Sequence, residues 1–600
     1  MIMRSLVFDI ETDDLKATKV WCICAQDLDS SELFRFAPHQ LESGLELLQS
    51  ADKLIGHNII GFDIPIIKKI LGVDLSDKKI VDTLVLSRLF NPVREGGHSL
   101  EMWGYRLNYP KDDFTEYNKY SPEMLKYCVR DVQINTMTYH KLKEEAKGFS
   151  KECVNLEHEV SLILKEQEEN GFLFDEPKAN NLLSKLYKRM NEVEEEVHKV
   201  FKPKWIDDKL VTPYVKKDGS LSKRGLTDKE YDQTFLEIIL QKGVNGIQEE
   251  DFEVPKPRTF MRKKYQEFNL GSRKQIGEYL QDFGWKPKKF TPTGQPIVDE
   301  KILKKITDIP EAQLIAEYLL LQKRIAQVES WVKAVEDDGR VHGFVIPNGT
   351  ITGRMSHRAP NMAQVPSVKS SYGVECRECW TTPKGYKLLG IDASSLELRI
   401  LAHYMKDEDF TNEIINGDIH TYNQKIARLQ SRDQAKTFIY ALIYGAANKR
   451  LGAVVGGSEA DGKRIREYFF ADQPAFKRLR DRVTKAAAKG YVKGIDGRRI
   501  FIRNTHASLN SLLQGGGAVA MKRALIILNN KANKRNLDFK FVANVHDEWQ
   551  VEVQVEVHKA HAEYLGKLGI EAIKEAGEYY NLRCPLDAEY KIGDDWSETH

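Results

Sequence analysis

Asp9 and Glu11 stand two apart in the run Val-Phe-Asp-Ile-Glu-Thr. Side chains along a strand alternate faces, so the two carboxylates share one. They repel unless a cation lies between them, and a divalent cation is the usual solution. Asp63 follows in His-Asn-Ile-Ile-Gly-Phe-Asp, 57–63, and Tyr127 and Asp131 are i and i+4, on one side of a helix. Four acids of this kind can hold two Mg2+ or Mn2+ ions, one activating water and one stabilising the leaving oxygen, with Tyr127 orienting the water. A lone Asp-x-Glu commonly decorates a surface. The ordered set within one α/β stretch carries the argument.

A second group lies far along the chain. Lys387–Ile391 reads as a short apolar strand ended by Asp392, with Ser394 or Ser395 placed to cap a helix over Leu396–Tyr404. Phe539–Val545 and Trp549–Val555 read as strands flanking His546, Asp547 and Glu548. Asp547 opposite Asp392 completes a second two-metal site.

A third group begins at Ser-Arg-Asp-Gln, 431–434, a capping-box pattern that starts a helix. Arg432, Lys436, Tyr440 and Tyr444 follow at intervals of four, on one face. Two cations at the positive helix end suit a triphosphate, and two rings suit a base. The aliphatic and phenyl groups Phe438, Leu442 and Ile443 fall on the other side.

These groups need a scaffold. At about 150 residues per domain, 600 residues predict about four domains. Hydrophobic content of 41% with 10% aromatic supports true cores and excludes a disordered chain. Mean hydropathy of -0.47 and the lack of a long uncharged apolar run predict no membrane span. The start, Met1 to Ile10, fits no signal peptide. Seven cysteines form no disulfide framework; Cys22–Cys24 and Cys376–Cys379 have no second metal-spaced pair nearby and read as reduced thiols of a cytosolic protein. The formal charge of +2 hides a split: net -9 over residues 1–200, +17 over 201–550 and -6 over 551–600. The positive charge concentrates in Lys256–Lys274 and Lys463–Lys489, faces able to neutralise phosphates.

Strands at Ser5–Ile10, Lys19–Gln26 and Leu54–Gly56 and a helix at Pro122–Ala146 predict an α/β domain. Residues 151–200 read as one long charged helical stretch, 202–260 as irregular, and Glu311–Val335 as helical again. From 340 onward the chain reads as mixed α/β.

Together the three groups resemble family A (DNA polymerase I-like) DNA polymerases, with the nearest likeness to replicative polymerases of short-tailed T-odd bacteriophages. Asp-Ala-Ser-Ser-Leu-Glu-Leu-Arg (392–399), Arg-Asp-Gln-Ala-Lys-Thr-Phe-Ile-Tyr-Ala-Leu-Ile-Tyr-Gly (432–445) and Val-His-Asp-Glu (545–548) match polymerase motifs A, B and C. The N-terminal acids resemble the three motifs of DnaQ-like 3′–5′ exonucleases, in the tyrosine-bearing subtype.

The resemblance implies an α/β multidomain fold. A ribonuclease H-like exonuclease domain spans 1–148 and a right-hand polymerase domain 149–600. In the latter the thumb is about 150–340 with an irregular 202–268 segment, the palm about 341–400 and 505–600, and the fingers about 401–504. It implies that Asp392, Asp547 and the Ala393 carbonyl carry Mg2+, with Glu548 an auxiliary acid, and that Asp9, Glu11, Asp63 and Asp131 are proofreading ligands. Arg432, Lys436 and His420 would hold the triphosphate, Tyr440 would stack beside the nucleotide, and Glu397 would be a steric gate against a 2′-hydroxyl. His546, Arg354, Gln514 and Tyr444 would touch DNA. The implied partners are primer–template DNA, dNTPs, a thioredoxin-like host processivity factor and a replicative helicase–primase, in the cytoplasm of an infected host. No 5′-nuclease domain is expected ahead of the exonuclease, and 202–268 is the thumb segment where some phage relatives carry a thioredoxin-binding insertion, so the processivity partner stays open. Two rival readings are a nuclease whose C-terminal half only binds duplex, and a non-enzymatic DNA scaffold.

Overall fold

Strand β1 (Ser5–Thr12) is buried on both faces. Leu6, Phe8 and Ile10 join one apolar cluster, and Val7, Asp9 and Glu11 alternate toward the other. The computed structural model describes residues 4–216, 218, 220–244, 257–556 and 560–600, and for 241–244 the backbone only. β1 lies at the centre of a five-stranded sheet ordered β3-β2-β1-β4-β5, with β2 (Val20–Asp27), β3 (Leu33–Phe36), β4 (Lys53–Gly56) and β5 (Lys79–Asp82). β2 runs antiparallel to β1 and β4 parallel to it. Helices α1 (Leu41–Gln49) and α2 (Asp63–Leu71) cover one face through Leu45, Leu48, Ile64 and Ile67. Beyond α3 (Thr83–Phe90) and α4 (Leu100–Arg106), α5 (Pro122–Glu145) covers the other through Met124, Cys128, Val132 and Tyr139. Ser121 caps α5 by accepting the Met124 N–H, and Pro122 takes the first helical position, where no N–H is needed.

The chain forms two compact units, Met1–Ala179 with Ser330–His600, and Asn180–Glu329. The single helical stretch expected over 151–200 is two helices, α6 (Lys151–Asn170) and α7 (Glu176–Val200). Gly171, at φ 60, stops the first, and Phe-Leu-Phe forms β6 (Phe172–Phe174).

In the second unit the expected irregular segment is largely ordered. β7 (Lys204–Val211) pairs antiparallel with β8 (Phe260–Gln266), and α8 (Asp228–Val244) lies between them in the chain. Charged residues on both faces hide the alternation that announces a strand. Lys217, Gly219 and residues 245–256, with Lys256 of the basic stretch, lie outside the described residues. α9 (Arg273–Asp282), α10 (Glu300–Leu303) and α11 (Pro310–Val332) follow.

The first unit resumes with β9 (Arg340–Val341), β10 (Phe344–Ile346), β11 (Ser356–Arg358), α12 (Gly373–Glu378) and β12 (Trp380–Thr381). β6 pairs with β9 and β12, and β10 with β11. Strand β13 (Tyr386–Ala393) leads into a helical series: α13 (Leu396–Met405), α14 (Glu408–Asn416), α15 (Ile419–Ile426), α16 (Arg432–Ile443), α17 (Asn448–Val454), α18 (Glu459–Asp472) and α19 (Pro474–Ala487). On α19, Phe476, Leu479 and Val483 are buried while Lys477, Arg478, Arg482 and Lys485 face outward. A hairpin of β14 (Tyr491–Lys493) and β15 (Arg499–Phe501) precedes α20 (Ser508–Asn533), β16 (Phe539–Val545), β17 (Glu548–Gln554), α21 (His561–Tyr579) and β18 (Ala588–Gly593).

The central sheet is antiparallel, ordered β16-β17-β13-β18. α20 packs against α21, α6 and α13 within the same apolar core. Gly516 and Gly517 let α20 approach α13: a Cβ there would stand 2.8 Å from Ile400 and 3.1 Å from Leu396. The stretch Thr505–Asn533 is long and apolar enough to cross a bilayer by length and composition, and it carries the charged residues Lys522, Arg523 and Lys531. It is buried among Leu396, Ile400, Leu565 and Ile573 as a core helix.

Candidate active sites

At the first site β1 supplies Asp9 and Glu11, α2 supplies Asp63, and α5 supplies Tyr127 and Asp131. Asp63 is seated against β1, its Oδ1 accepting the Ile10 N–H at 3.2 Å. Glu11, Asp63 and Asp131 are buried, and Asp9 is half-buried. Burial and then the charges of Asp63, Asp131 and Glu11 push Asp9 well above the usual carboxylate range. Burial and Asp131 push Glu11 to about 9. Burial outweighs the N–H bonds to Asp63 and raises it to about 7. The structure thus brings all four carboxylates within mutual electrostatic reach.

One residue the sequence reading missed joins them. Lys111, in the loop before α5, places Nζ 2.5 Å from Asp131 Oδ2 and 4.6 Å from the centre of the Tyr127 ring. Burial raises Asp131 to about 6 even so, and Asp131 outweighs the burial of Lys111 to hold it protonated. No periodicity announces a loop lysine of this kind. One ammonium among four carboxylates leaves an excess of negative charge, and Asp131 Oδ1 is buried without a hydrogen-bond partner among the described residues. A set of hard oxygen donors short of positive charge fits Mg2+ or Mn2+.

At the second site β13 and β17 run antiparallel, with Asp392 opposite Glu548. The connection between β16 and β17 is the two residues His546 and Asp547, and His546 takes φ 59, the left-handed turn conformation a tight hairpin requires. The Ala393 N–H donates to the Asp547 carbonyl at 3.0 Å, which locks the hairpin tip beside the end of β13. Burial, Asp547 and Glu548 push Asp392 up to about 7, and burial raises Asp547. Two half-buried carboxylates that resist joint ionisation again fit a divalent cation, with the Ala393 carbonyl as a further oxygen.

Glu548 differs from the expected turn acid. It lies in β17, 4% exposed, with Trp596 Nε1 donating at 2.7 Å and His600 Nδ1 at 2.5 Å, and with the Arg377 guanidinium forming an ion pair at 3.9 Å. Burial alone would raise it; the His600 and Trp596 hydrogen bonds and the Arg377 charge hold it below the usual range. These three partners come from distant segments and carried no sequence signal.

Around this pair, Glu397 on α13 accepts from Arg354 Nη2 at 3.0 Å and from the Tyr444 hydroxyl at 3.2 Å. Arg432 and Lys436 are exposed on α16, Tyr440 is half-buried and Tyr444 is 42% exposed. Phe438, Leu442 and Ile443 are buried on the opposite side. Arg432 is clamped by Asp418, Nε to Oδ2 at 2.6 Å and Nη2 to Oδ1 at 3.2 Å. The His420 ring stands 6.3 Å from that of Tyr440. Burial and then Glu397 raise both Tyr440 and Tyr444, with Asp547 adding to each, and the Tyr444 hydroxyl reaches Glu397 directly. Gln514 is half-buried on α20, and His546 is exposed at the hairpin tip.

Two expected caps form differently. Ser431 accepts the Gln434 N–H, but the Gln434 side chain turns to the Gln430 N–H, so the capping box is half formed. Ser395 begins α13 at φ 53 with no side-chain cap bond, because the chain turns sharply from β13 into the helix.

A catalytic-type acid pair on an antiparallel sheet, beside a cationic and aromatic helix, is the arrangement of a nucleotidyl-transfer enzyme. The profile of DNA polymerase family A matches residues 249–598, and the chain belongs to that family. It is 33% identical to the DNA-directed DNA polymerase of Enterobacteria phage T3 and 32% to that of Escherichia phage T7, covering 99% of this chain and 100% of each relative. The fold matches that of the POL domain of Pol1 from M. smegmatis, solved in complex with DNA primer-template and dNTP. The TM-score is 0.77 at 18% identity, covering 100% of this chain and 96% of the other.

Proposed function

We propose that this chain is a template-directed DNA polymerase of phage genome replication with a 3′–5′ proofreading exonuclease. The observation that carries the reading is the pairing of Asp392 with Asp547 through the Ala393 N–H. In this reading residues 1–148 form a ribonuclease H-like exonuclease. Residues 149–600 form a right-hand polymerase: thumb about 150–340, palm about 341–400 and 505–600, fingers about 401–504.

Asp392, Asp547 and the Ala393 carbonyl would hold Mg2+, and Asp9, Glu11, Asp63 and Asp131 a second set. The bound cations supply Lewis-acid stabilisation of the attacking and leaving oxygens. The primer 3′-OH attacks the α-phosphate of a dNTP in line, and pyrophosphate leaves. Arg432, Lys436 and His420 hold the triphosphate at the positive end of α16, while Tyr440 stacks on the incoming base. Glu397, fixed by Arg354 and Tyr444, walls off the sugar edge and excludes a 2′-hydroxyl. His546 meets the primer terminus, and Arg354, Gln514 and Tyr444 meet the duplex. At the first site Tyr127 orients the water that hydrolyses a frayed 3′ end.

The exposed basic face of α19 suits the DNA backbone. Work at a replication fork implies a helicase–primase and a thioredoxin-like processivity partner, in the cytoplasm of an infected host. A primer-extension assay on labelled primer–template tests the reading. Template-directed extension plus 3′ trimming supports it; trimming alone favours a nuclease, and DNA binding without turnover a scaffold.

A further inference from the structure

Cys22 and Cys24 are cross-strand partners of Glu11 and Asp9 in the β1–β2 ladder. Directly opposed residues of an antiparallel pair point to the same side of the sheet, so two thiols and two carboxylates share one face. α5 lays Cys128 over that face. Its Sγ is 3.5 Å from the Asp9 carbonyl oxygen and 3.8 Å from Asp9 Oδ2. Donor atoms of Cys128, Asp9 and Glu11 all lie within 4.8 Å of one another. Cys22, Cys24 and Cys128 belong to one buried cluster between the sheet and α5. All three cysteines are fully buried and free of disulfides.

Small buried cysteines ordinarily serve as apolar filler. This trio differs by position, since it floors a carboxylate cluster whose Asp9 is half-buried and open to solvent. Tetrahedral ligands about 2.0–2.3 Å from a cation stand roughly 3.3–3.8 Å apart, the spacing found between Cys128 and Asp9. Thiolate sulfur selects soft cations, whereas the oxygens above it select Mg2+ or Mn2+. The cluster thus has a hard rim and a soft floor.

We propose that Cys22, Cys24 and Cys128, with Asp9, form a binding site for a thiophilic divalent cation such as Zn2+ or Cd2+. The ion enters through the carboxylate rim, each ligating thiol releases its proton to solvent, and Asp9 is drawn away from the hard-cation site. Soft-cation occupancy therefore suppresses 3′ trimming while leaving synthesis at Asp392 and Asp547 running. This consequence rests on the exonuclease reading; the binding itself does not.

The test is titration of the full chain with Cd2+ alone, read as the ultraviolet sulfur-to-cadmium charge-transfer absorbance that carboxylates do not produce. The expected result is a band saturating at one equivalent in the wild type, lost in Cys24→Ala/Cys128→Ala and in the volume-conserving Cys24→Ser/Cys128→Ser. It persists in Cys376→Ala/Cys379→Ala, which removes the other closely spaced thiols. No band in the wild type, an undiminished band in the first two variants, or loss only in the third overturns the site. A second arm reads the ratio of trimming rates with and without Cd2+ under excess Mg2+. That ratio falls at least about tenfold in the wild type and stays near one in Cys24→Ala/Cys128→Ala. Absence of trimming before Cd2+ is added counts against the exonuclease reading, and the absorbance still decides the binding.

Discussion

Lys522 on α20 and Glu157 on α6, 365 positions apart, form a buried ion pair, with Nζ 2.6 and 2.8 Å from the two carboxylate oxygens. The same Nζ donates to the Gly353 carbonyl at 2.8 Å, and Arg498 reaches Glu157 at 2.7 Å while pairing with Asp496 at 2.7 Å. Gly353 precedes Arg354, the partner of Glu397. One buried charge network therefore ties α6, the β14–β15 hairpin and α20 to the rim of the second site.

Removing one partner of such a network strands charge in a dry interior. Glu157→Gln leaves Lys522 and Arg498 without their shared carboxylate and should cost about 3–5 kcal/mol. Lys522→Met should cost less, because Arg498 still serves Glu157. Urea unfolding measures both, and equal costs would contradict the shared role of Glu157.

The two acid clusters lie on different sheets, so their losses should separate. Asp392→Ala should lower extension at least about a thousandfold, ~4 kcal/mol, and keep 3′ trimming; Asp9→Ala should do the reverse. Labelled primer extension and single-strand trimming, run on the same preparations, give the answer. Trimming unchanged in Asp9→Ala would remove the assignment of the first site.

Carboxylates that raise one another's pKa are relieved by a cation. Mg2+ should therefore raise the midpoint of thermal unfolding, saturably, and excess chelator should lower it again. A gain of roughly 2.7 kcal/mol is expected at a hundredfold excess over the dissociation constant. The shift should shrink in Asp9→Ala/Asp392→Ala, which lacks one acid from each cluster. A full shift in that variant would place the ion elsewhere.

Histidines set an acid limit. Burial and the nearby Arg88 and Lys111 lower His57 to about 3, burial and three arginines lower His98 to about 4, and burial and His546 lower His357 to about 4. Their folded values lie below the ordinary 6.5, so the unfolded chain binds more protons between these pH values. The stability they contribute is complete above pH 6.5 and is lost as pH falls toward about 4 for His98 and His357 and about 3 for His57. The slope is about 1.4 kcal/mol per pH unit for each proton taken up. Replacing His98 or His357 by glutamine, which does not titrate, should flatten urea-unfolding stability across that range relative to the wild type.

Much of both sites was legible because it obeys local rules. Asp9 and Glu11 share a face by strand alternation, and Arg432, Lys436, Tyr440 and Tyr444 share one by helical periodicity. Asp547 was marked by the strand run that follows it. Lys111, Arg377, Trp596 and His600 were not legible, because each reaches its carboxylate from a loop or a distant segment. The β7–β8 pair was missed for a different reason: charged residues on both faces erase the alternation that signals a strand.

By itself, then, the sequence determined which residues carry charge, metal-binding capacity and stacking surface, and on which face of its own element each one lies. Secondary-structure geometry has a short fixed period, so spacing is enough for that. Only the tertiary structure decided which faces meet. Asp392 and Asp547 are joined by sheet register, Glu157 and Lys522 by helix crossing, and the three thiols and Asp9 by the docking of α5 on β1 and β2. Those contacts are set by the packing of whole elements, which no local period encodes.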